Sequence, residues 1–179
     1  MRKTTHLILC ALFAALIAVG AFIKIPTPVP ITLQTLFVLL SGMLLGAKGG
    51  AISCLVYIAI GLAGLPVFTK GGGMMYLLEP TFGYLLGFVP CAWIVGRLVE
   101  RMHTRTFLRL FFAAFWGICI IYVIGVLYWI TIGKAYFSES ADTKAIIVSG
   151  VFLCLPSDVL LCVVCAWISK KIHLRLSFD

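Results

Sequence analysis

The sequence is poor in charged residues. Asp, Glu, Lys and Arg make up only 11% of its 179 residues, whereas 63% are hydrophobic. An average soluble domain has roughly 25% charged residues. A chain with so little polar surface cannot cover a folded domain in water. The composition therefore argues against an ordinary water-soluble domain and predicts an integral membrane protein.

The usual catalytic signatures are also missing. The chain has no G-x-x-x-x-G-K-[ST] phosphate loop and no H-E-x-x-H zinc motif. Cys162 and Cys165 have the spacing of a redox or zinc pair, but no second pair or histidine pattern accompanies them. Cysteines in apolar runs usually behave as small hydrophobes. We therefore expect a protein that is not an enzyme, hydrolyses no ATP itself and holds no metal or cofactor.

Long apolar runs predict the membrane spans. A membrane helix needs about 20 predominantly apolar residues, with about 17 to 25 as the working range. Five runs without a charged side chain meet this requirement: residues 7–23, 31–47, 50–68, 80–96 and 110–133.

A sixth run, residues 145–169, contains one charged residue, Asp158. In a continuous helix from 145, this carboxylate would lie about 20 Å from the outer end, and it would have to face protein or a cavity. Alternatively the helix spans 156–171, because proline is favoured at a first helical position. Asp158 then lies in the first turn, where the helix dipole favours a carboxylate. We favour the second interpretation.

The basic residues predict the orientation. Placing the N-terminus in the cytoplasm puts most of the 14 lysines and arginines on the cytoplasmic side, as the positive-inside rule requires. Those residues are Arg2, Lys3, Lys48, Arg97, Arg101, Arg105, Arg109, Lys170, Lys171 and Arg175. They are split between short segments, so no nucleic-acid surface is expected. The predicted fold class is a single-domain, all-α integral membrane protein, residues 1–179, with six transmembrane helices and both termini cytoplasmic.

The first run has one competing interpretation, a cleaved signal peptide, because Arg2 and Lys3 precede an apolar stretch that ends in "AVGA". Alanines at helical spacing favour a retained helix instead. Ala11, Ala15 and Ala18 belong to a stripe of small residues that would pack closely against another helix.

Polar and irregular sequence is concentrated on the predicted outer side. It comprises the proline-rich "PTPVPITLQT" at 26–35, the glycines at 71–73 and Asp158. Irregular backbone at membrane depth is tolerated only where protein buries it or where it lines a cavity. Polar groups that converge in an apolar concavity are typical of a small-molecule site. A ligand site is therefore expected at the outer face.

Two motifs resemble those of a known family. "PTPVPITLQTLFVLLSGMLLGAKGG" is similar to the first-loop and second-helix signature of the BioY family, the biotin-specific S components of energy-coupling factor (ECF) transporters. "GLAGLPVFTKGGG" followed by "PTFGYLLGF" resembles that family's third-loop and fourth-helix signature. The resemblance covers most of residues 7–96 and returns at 155–161.

The resemblance implies an ECF S-component-like fold that captures biotin at the outer face of the bacterial cytoplasmic membrane. It implies that Asp158 accepts N–H groups of the ureido ring. The other residues expected at the site are Gln34, Thr32 and Thr35 as polar contacts or lid supports, Val29, Phe68, Met75 and Tyr84 as apolar wall, and Glu79 and Thr81 at the start of the fourth span.

The family also implies partners. Because the chain has no nucleotide site, energy would come from two cytoplasmic ATPase subunits through a transmembrane coupling subunit. That subunit would contact the face of Ala11, Ala15 and Ala18, which matches the family's small-residue docking motif.

The chain departs from the family pattern at two places. The P-G-D-x-x-K pattern has Ser157 and Leu161 here in place of glycine and lysine. This removes a cation near Asp158, so either the carboxylate is protonated more readily, or a residue such as Lys24 or Lys70 supplies the charge instead. Glu79 stands at the first position of the G-P-T-G-G-Y pattern, which also has Phe82 at its fourth position. Glu79 brings negative charge near an anionic ligand, so either affinity is lower, or Glu79 points away, or the ligand is a relative of biotin.

Two other functions fit an irregular six-helix membrane protein. One is a stand-alone secondary carrier or channel for biotin or a related small organic acid, although such proteins often show internal repeats, and the last three spans do not repeat the first three. The other is a structural scaffold, which Asp158 and the outer loops disfavour.

Overall fold

The described part of the chain is almost entirely helical. A computed structural model describes residues 3–26, 30–136, 151–152 and 154–176. Its α-helices are α1 (Lys3–Phe22), α2 (Gln34–Leu62), α3 (Phe82–Glu100), α4 (Phe107–Tyr136) and α5 (Leu155–Leu176). A 3-10 helix, Met74–Leu78, precedes α3, and two short strands, β1 (Lys24–Ile25) and β2 (Ile31–Thr32), precede α2.

Four of these helices are long and apolar enough to cross a membrane. They are Thr4–Phe22, Gln34–Leu62, Phe82–Glu100 and Phe107–Ile132. The prediction of an all-α membrane protein is therefore confirmed, and the protein is a multi-pass membrane protein. Four such spans, rather than the six expected, are found in the described ranges by length and composition alone.

α2 reverses direction at Gly46, whose φ of 78° and ψ of −179° are not helical. The side chains of Gln34 and Tyr57 are hydrogen-bonded over 2.6 Å, although a straight helix would separate these residues by about 34 Å. A Cβ atom on Gly50 would lie 2.8 Å from the Cα atom of Gly42. α2 is thus two helical arms that fold back on each other, at the boundary between the predicted helices 31–47 and 50–68.

The end of α3 stabilises this reversal. Ala47 donates its backbone N–H to the Oε1 atom of Glu100 over 2.8 Å, and Arg97 lies 3.6 Å from Oε2 of the same carboxylate. Free N–H groups at the start of a helix favour a negative charge. Glu100 therefore caps the second arm of α2.

The segment before α2 differs from the prediction. Residues 31–32 were expected to be helical, but Ile31 pairs with Ile25 and Thr32 with Lys24 in an antiparallel hairpin. Leu33 also donates its N–H to the carbonyl of Ile23 over 3.2 Å. These hydrogen bonds hold the two ends of the proline-rich segment together and delay the start of the helix to Gln34. Residues 27–29 lie outside the described ranges.

The end of α2 also differs from the prediction. The helix expected to continue to Phe68 ends at Leu62, and the following loop includes Gly64 at a φ of 107°. Left-handed backbone of this kind favours glycine and ends a helix.

α5 begins at Leu155, so Asp158 lies in its first turn. Of the two interpretations of the last run, the shorter helix is the one observed.

The bundle is built around α2, which packs against α1 and α3, while α4 packs against α3 and α5. Glycines allow close approach of the backbones: a Cβ atom on Gly42 would lie 2.5 Å from the carbonyl oxygen of Ala92. All seven cysteines are free thiols, and six of them are buried. Both ends of the β1–β2 hairpin, the end of α2 and the start of α3 meet at one end of the bundle, which carries the candidate site.

Candidate ligand-binding site

A cavity opens at this end between α2, α3, α4 and α5. The space between its walls is about 560 Å³, which includes open solvent at its mouth. The lining residues are Pro30, Ile31, Thr32, Gln34, Thr35, Thr69, Thr81, Tyr84, Leu85, Phe88, Ile121, Tyr122, Cys154 and Asp158. A cavity that combines hydroxyl, amide and carboxylate groups with apolar wall suits a small organic ligand that has both polar and apolar parts.

Asp158 is the acidic group of this lining. The Tyr122 hydroxyl on α4 donates a hydrogen bond of 2.5 Å to its Oδ2 atom. Each of the two residues is 9% exposed. Asp158 is held at this place because the first turn of α5 presents it toward α4, and its own backbone N–H bonds the carbonyl of Cys154 over 3.0 Å. A buried carboxylate of this kind can accept hydrogen bonds from N–H groups of a ligand.

Gln34 is oriented by a chain of hydrogen bonds. Its Nε2 atom donates to the Tyr57 hydroxyl over 2.6 Å, and that hydroxyl donates to the carbonyl of Val67 over 3.2 Å. Thr32 donates to Oε1 of Gln34 over 3.3 Å. The chain links both arms of α2 to the loop that follows, so the position of Gln34 depends on that loop.

Thr81 places a hydroxyl group just beneath the cavity surface. The residue is 7% exposed, and its Oγ1 atom has no hydrogen-bond partner within the described ranges. An unpaired buried hydroxyl costs roughly 1–3 kcal/mol. Such a cost at a cavity wall is typical of a group that gains its partner when the cavity is filled.

The loop between α2 and α3 is anchored by aromatic side chains. Phe68 is 1% exposed, and its ring centroid lies 5.4 Å from that of Tyr57 and 4.6 Å from that of Tyr76. The Thr69 Oγ1 atom is 2.9 Å from the Tyr76 hydroxyl. These contacts fix Thr69, which faces the cavity, against the core.

Two lysines hold the loops around the mouth. Lys24 of β1 donates from its ammonium group to the carbonyl oxygen of Thr69. Lys70 forms an ion pair with Glu79. The first contact joins the proline-rich segment to the glycine-containing loop, and the second neutralises the carboxylate of Glu79.

The structure brings together six of the ten residues predicted at the site. Asp158, Gln34, Thr32, Thr35, Thr81 and Tyr84 all line the cavity. Phe68 lies behind the lining in the aromatic cluster, and Met75 is 77% exposed. Glu79 is paired with Lys70 outside the lining, and Val29 falls outside the described residues. The predicted wall of Phe68 and Met75 is therefore not part of this cavity, and the roles of the lining residues in binding stay predictions.

Sequence reasoning missed Tyr122, which lies in the middle of a run that was treated only as a hydrophobic span. The available signal was a phenol group deep in an apolar helix, because a buried tyrosine hydroxyl usually has a hydrogen-bond partner. Ile121 and Phe88 were missed as well, since nothing in an apolar run shows which side faces a cavity.

Leu161 is buried, at 7% exposed. It lines a second, more apolar groove beside the hairpin, whose space is about 670 Å³ when open solvent is included as for the cavity. This groove shares Ile31 and Thr32 with the cavity and is also lined by Lys24. Of the two lysines expected to replace the missing cation, Lys70 is engaged with Glu79, and Lys24 lies between the cavity and the groove.

The alanine stripe of α1 faces outward in part. Ala11 and Ala15 are exposed and Ala18 is half-buried, whereas Ala14 is buried against the bundle. Leu12 and Val19 beside them are 50% and 53% exposed. This apolar face is available to lipid or to another protein.

The chain is similar to proteins of one known family. The family model described as the BioY family matches residues 1–178. A probable biotin transporter BioY of Lysinibacillus sphaericus is 42% identical over 173 residues, which cover 96% of this chain and 88% of the relative. A biotin transporter BioY of Rhizobium etli is 38% identical over 182 residues, covering 95% of this chain and 94% of the relative.

One solved structure has a similar fold. It is the crystal structure of an S component for biotin from an ECF-type ABC transporter, with a TM-score of 0.81 and 24% sequence identity. The likeness covers 96% of this chain and 92% of that chain. At this level of identity it supports the fold alone.

Proposed function

Because the chain belongs to the BioY family, which its match over residues 1–178 shows, we propose that it captures biotin as the substrate-specific S component of an ATP-driven ECF transporter. In this role it is a binding and transport subunit, not an enzyme. Its named relatives in Lysinibacillus sphaericus and Rhizobium etli are biotin transporters, and they match nearly the whole chain.

The observation that carries the proposal is the position of Asp158 in the wall of a cavity whose other lining residues are uncharged. The ureido ring of biotin offers N–H donors, and the carboxylate offers acceptor oxygens. Hydrogen bonds to a charged group are roughly twice as strong as those between neutral groups. Tyr122 engages Oδ2 of Asp158, so the other carboxylate oxygen remains for the ring.

The rest of the lining suits the remainder of the ligand. Tyr84, Leu85, Phe88 and Ile121 supply apolar and aromatic surface beside Asp158. Burial of apolar ligand surface contributes about 25 cal/mol per Å². Gln34 would add a polar contact, because its amide is held in place by Thr32 and Tyr57.

The proposed topology has six membrane spans and two cytoplasmic termini. The two arms of α2 that meet at Gly46 would count as separate spans, and together with α1, α3, α4 and α5 they would make six. Orientation follows from the excess of lysine and arginine on the side of the N-terminus. The cavity would then open to the outside of the bacterial cytoplasmic membrane.

The proposed partners are a transmembrane coupling subunit and two cytoplasmic ATPase subunits. We place the contact with the coupling subunit on the face of Ala11, Ala15 and Ala18, of which Ala11 and Ala15 are exposed. Small side chains permit close approach of helix backbones in a membrane.

Uptake of radiolabelled biotin tests the proposal. Cells that lack their own biotin transport would express this chain alone or with the coupling and ATPase subunits. We expect biotin to bind whether the chain is expressed alone or with the other subunits. We expect ATP-dependent accumulation of biotin only when the coupling and ATPase subunits are present. Concentrative uptake by the chain alone would instead identify a stand-alone carrier, and absence of biotin binding would overturn the proposal.

A further inference from the structure

One cation at the mouth of the cavity has no carboxylate partner in the described part of the chain. Lys70 is neutralised by its ion pair with Glu79. The ammonium group of Lys24 donates instead to the carbonyl oxygen of Thr69, which is a neutral acceptor. The ion pairs found among the described residues involve Lys70 and Arg97, not Lys24. The positive charge of Lys24 is therefore available to an anion.

Lys24 is joined to the cavity from two sides. It pairs in register with Thr32 across the β hairpin and is hydrogen-bonded to Thr69. Both Thr32 and Thr69 line the cavity. Lys24 also lines the adjoining apolar groove, together with Leu160 and Leu161. Its ammonium group is thus bonded to one residue of the cavity lining and borders the apolar groove that adjoins the cavity.

An ammonium group has three N–H donors and no acceptor. The Thr69 carbonyl uses one of them, so an anion can be bound without breaking this contact. The carboxylate of Asp158 inside the cavity repels a second negative charge. A ligand with N–H donors at one end and a carboxylate at the other would therefore place the carboxylate away from Asp158 and toward a cation.

We infer that Lys24 recognises the carboxylate of the bound ligand and so makes the site selective for an anionic ligand on an apolar chain. The inference rests on the proposed function and adds the residue that recognises the charged tail. Lys24 would also hold the two loops together over the ligand, because its contact with Thr69 is retained.

The test compares two ligands that differ in the charge of the tail: biotin, which ends in a carboxylate, and its neutral methyl ester, which is one methyl group larger. Binding is measured by calorimetry on the full chain in phosphatidylcholine nanodiscs, which contain no anionic lipid. The variants are Lys24→Met, Lys24→Arg and, as a charge-matched control, Lys48→Met. Lys48 is exposed and lies beside the Gly46 reversal, at the other end of the bundle.

The expected result is a loss of affinity for biotin but not for its methyl ester. Lys24→Met should weaken biotin binding about tenfold and ester binding less than twofold, because only the carboxylate of biotin forms an ion pair with the ammonium group. Lys24→Arg should restore most of the affinity, and Lys48→Met should change neither ligand. In Lys24→Met the affinity for biotin should also lose most of its dependence on salt, since exposed ion pairs are screened.

Four results would overturn the inference. Equal loss for both ligands would mean that Lys24 only supports the loops. A wild type that binds biotin and the ester equally would remove carboxylate recognition but leave biotin capture intact. A loss of biotin affinity in Lys24→Met that appears only when phosphatidylglycerol is added would show that Lys24 binds a lipid headgroup instead. A wild type that binds neither ligand would overturn the proposed function as well.

Discussion

The Tyr122 hydroxyl is hydrogen-bonded to Oδ2 of Asp158 over 2.5 Å, and this contact joins α4 to α5 at the wall of the cavity. One oxygen of the carboxylate is thus occupied by a neutral donor, and the other, to which no described residue donates, can accept from a ligand. The contact also fixes the rotation of the carboxylate. Asp158 is therefore oriented before a ligand arrives, which lowers the entropic cost of binding.

The first prediction concerns Asp158 itself. Asp158→Asn should weaken biotin binding by about 1.5–3 kcal/mol, the range for a hydrogen bond to a charged group. Calorimetry on the purified protein measures this directly. Ser157→Ala is the neighbouring control, because the Ser157 hydroxyl bonds the carbonyl of Cys154 over 2.7 Å and should not affect affinity. Equal affinities of Asp158→Asn and wild type would remove Asp158 from the site.

Tyr122 is predicted to act through Asp158. Tyr122→Phe removes only the hydroxyl and should weaken biotin binding by about 1 kcal/mol, since Asp158 loses the donor that orients it. The same substitution in an Asp158→Asn background should have a much smaller effect, because coupled residues are not additive. A double-mutant cycle by calorimetry measures the coupling. Additive effects would show that Tyr122 contacts the ligand independently or not at all.

Thr81 gives a prediction with two readouts. Thr81→Val removes a buried hydroxyl without a partner in the described part of the chain, so the ligand-free protein should become more stable by about 1 kcal/mol. A higher melting temperature in detergent would show this. If Thr81 serves the site, biotin binding should weaken at the same time, whereas Thr81→Ser should bind normally. Unchanged affinity of Thr81→Val for biotin would mean that Thr81 has no role in binding.

Glu100 provides a prediction away from the cavity. Glu100→Ala removes the acceptor for the Ala47 N–H and should lower stability by about 1 kcal/mol, a typical value for a lost helix cap. Glu100→Gln keeps an acceptor oxygen and should therefore lower the stability less than Glu100→Ala does. Melting temperatures of the two variants test this order, and biotin affinity should be unchanged in both. An unchanged melting temperature for Glu100→Ala would contradict the capping role.

The helical segments were predictable because lipid imposes a simple rule on sequence. Apolar runs without charge located the helices, and Pro156 located the start of α5 near Leu155. The reversal at Gly46 falls near the predicted boundary, but inside the predicted helix 31–47. Several glycines lie near this boundary, and the sequence does not show which of them adopts the positive φ of the reversal. In the structure it is Gly46, beside which Glu100 accepts the backbone N–H of Ala47.

The site was predictable where an unusual residue stood in an apolar run, and not where tertiary packing decides orientation. Asp158 and Gln34 stood out as polar residues in hydrophobic sequence, and both line the cavity. Phe68 and Met75 are both apolar residues of one loop, yet one is buried and the other is exposed. Local sequence does not distinguish them, because the difference arises from the rings of Tyr57 and Tyr76. Tyr122 was missed because its partner lies 36 residues away.

The most direct test of biotin capture is a titration of the purified chain, without any partner subunit, with biotin in neutral nanodiscs. The proposal predicts saturable binding at a single site, with an affinity that falls when Asp158 is replaced by asparagine and recovers when the carboxylate is restored. Absence of heat and of thermal stabilisation at micromolar biotin, from a protein that is folded by its own melting transition, would contradict it.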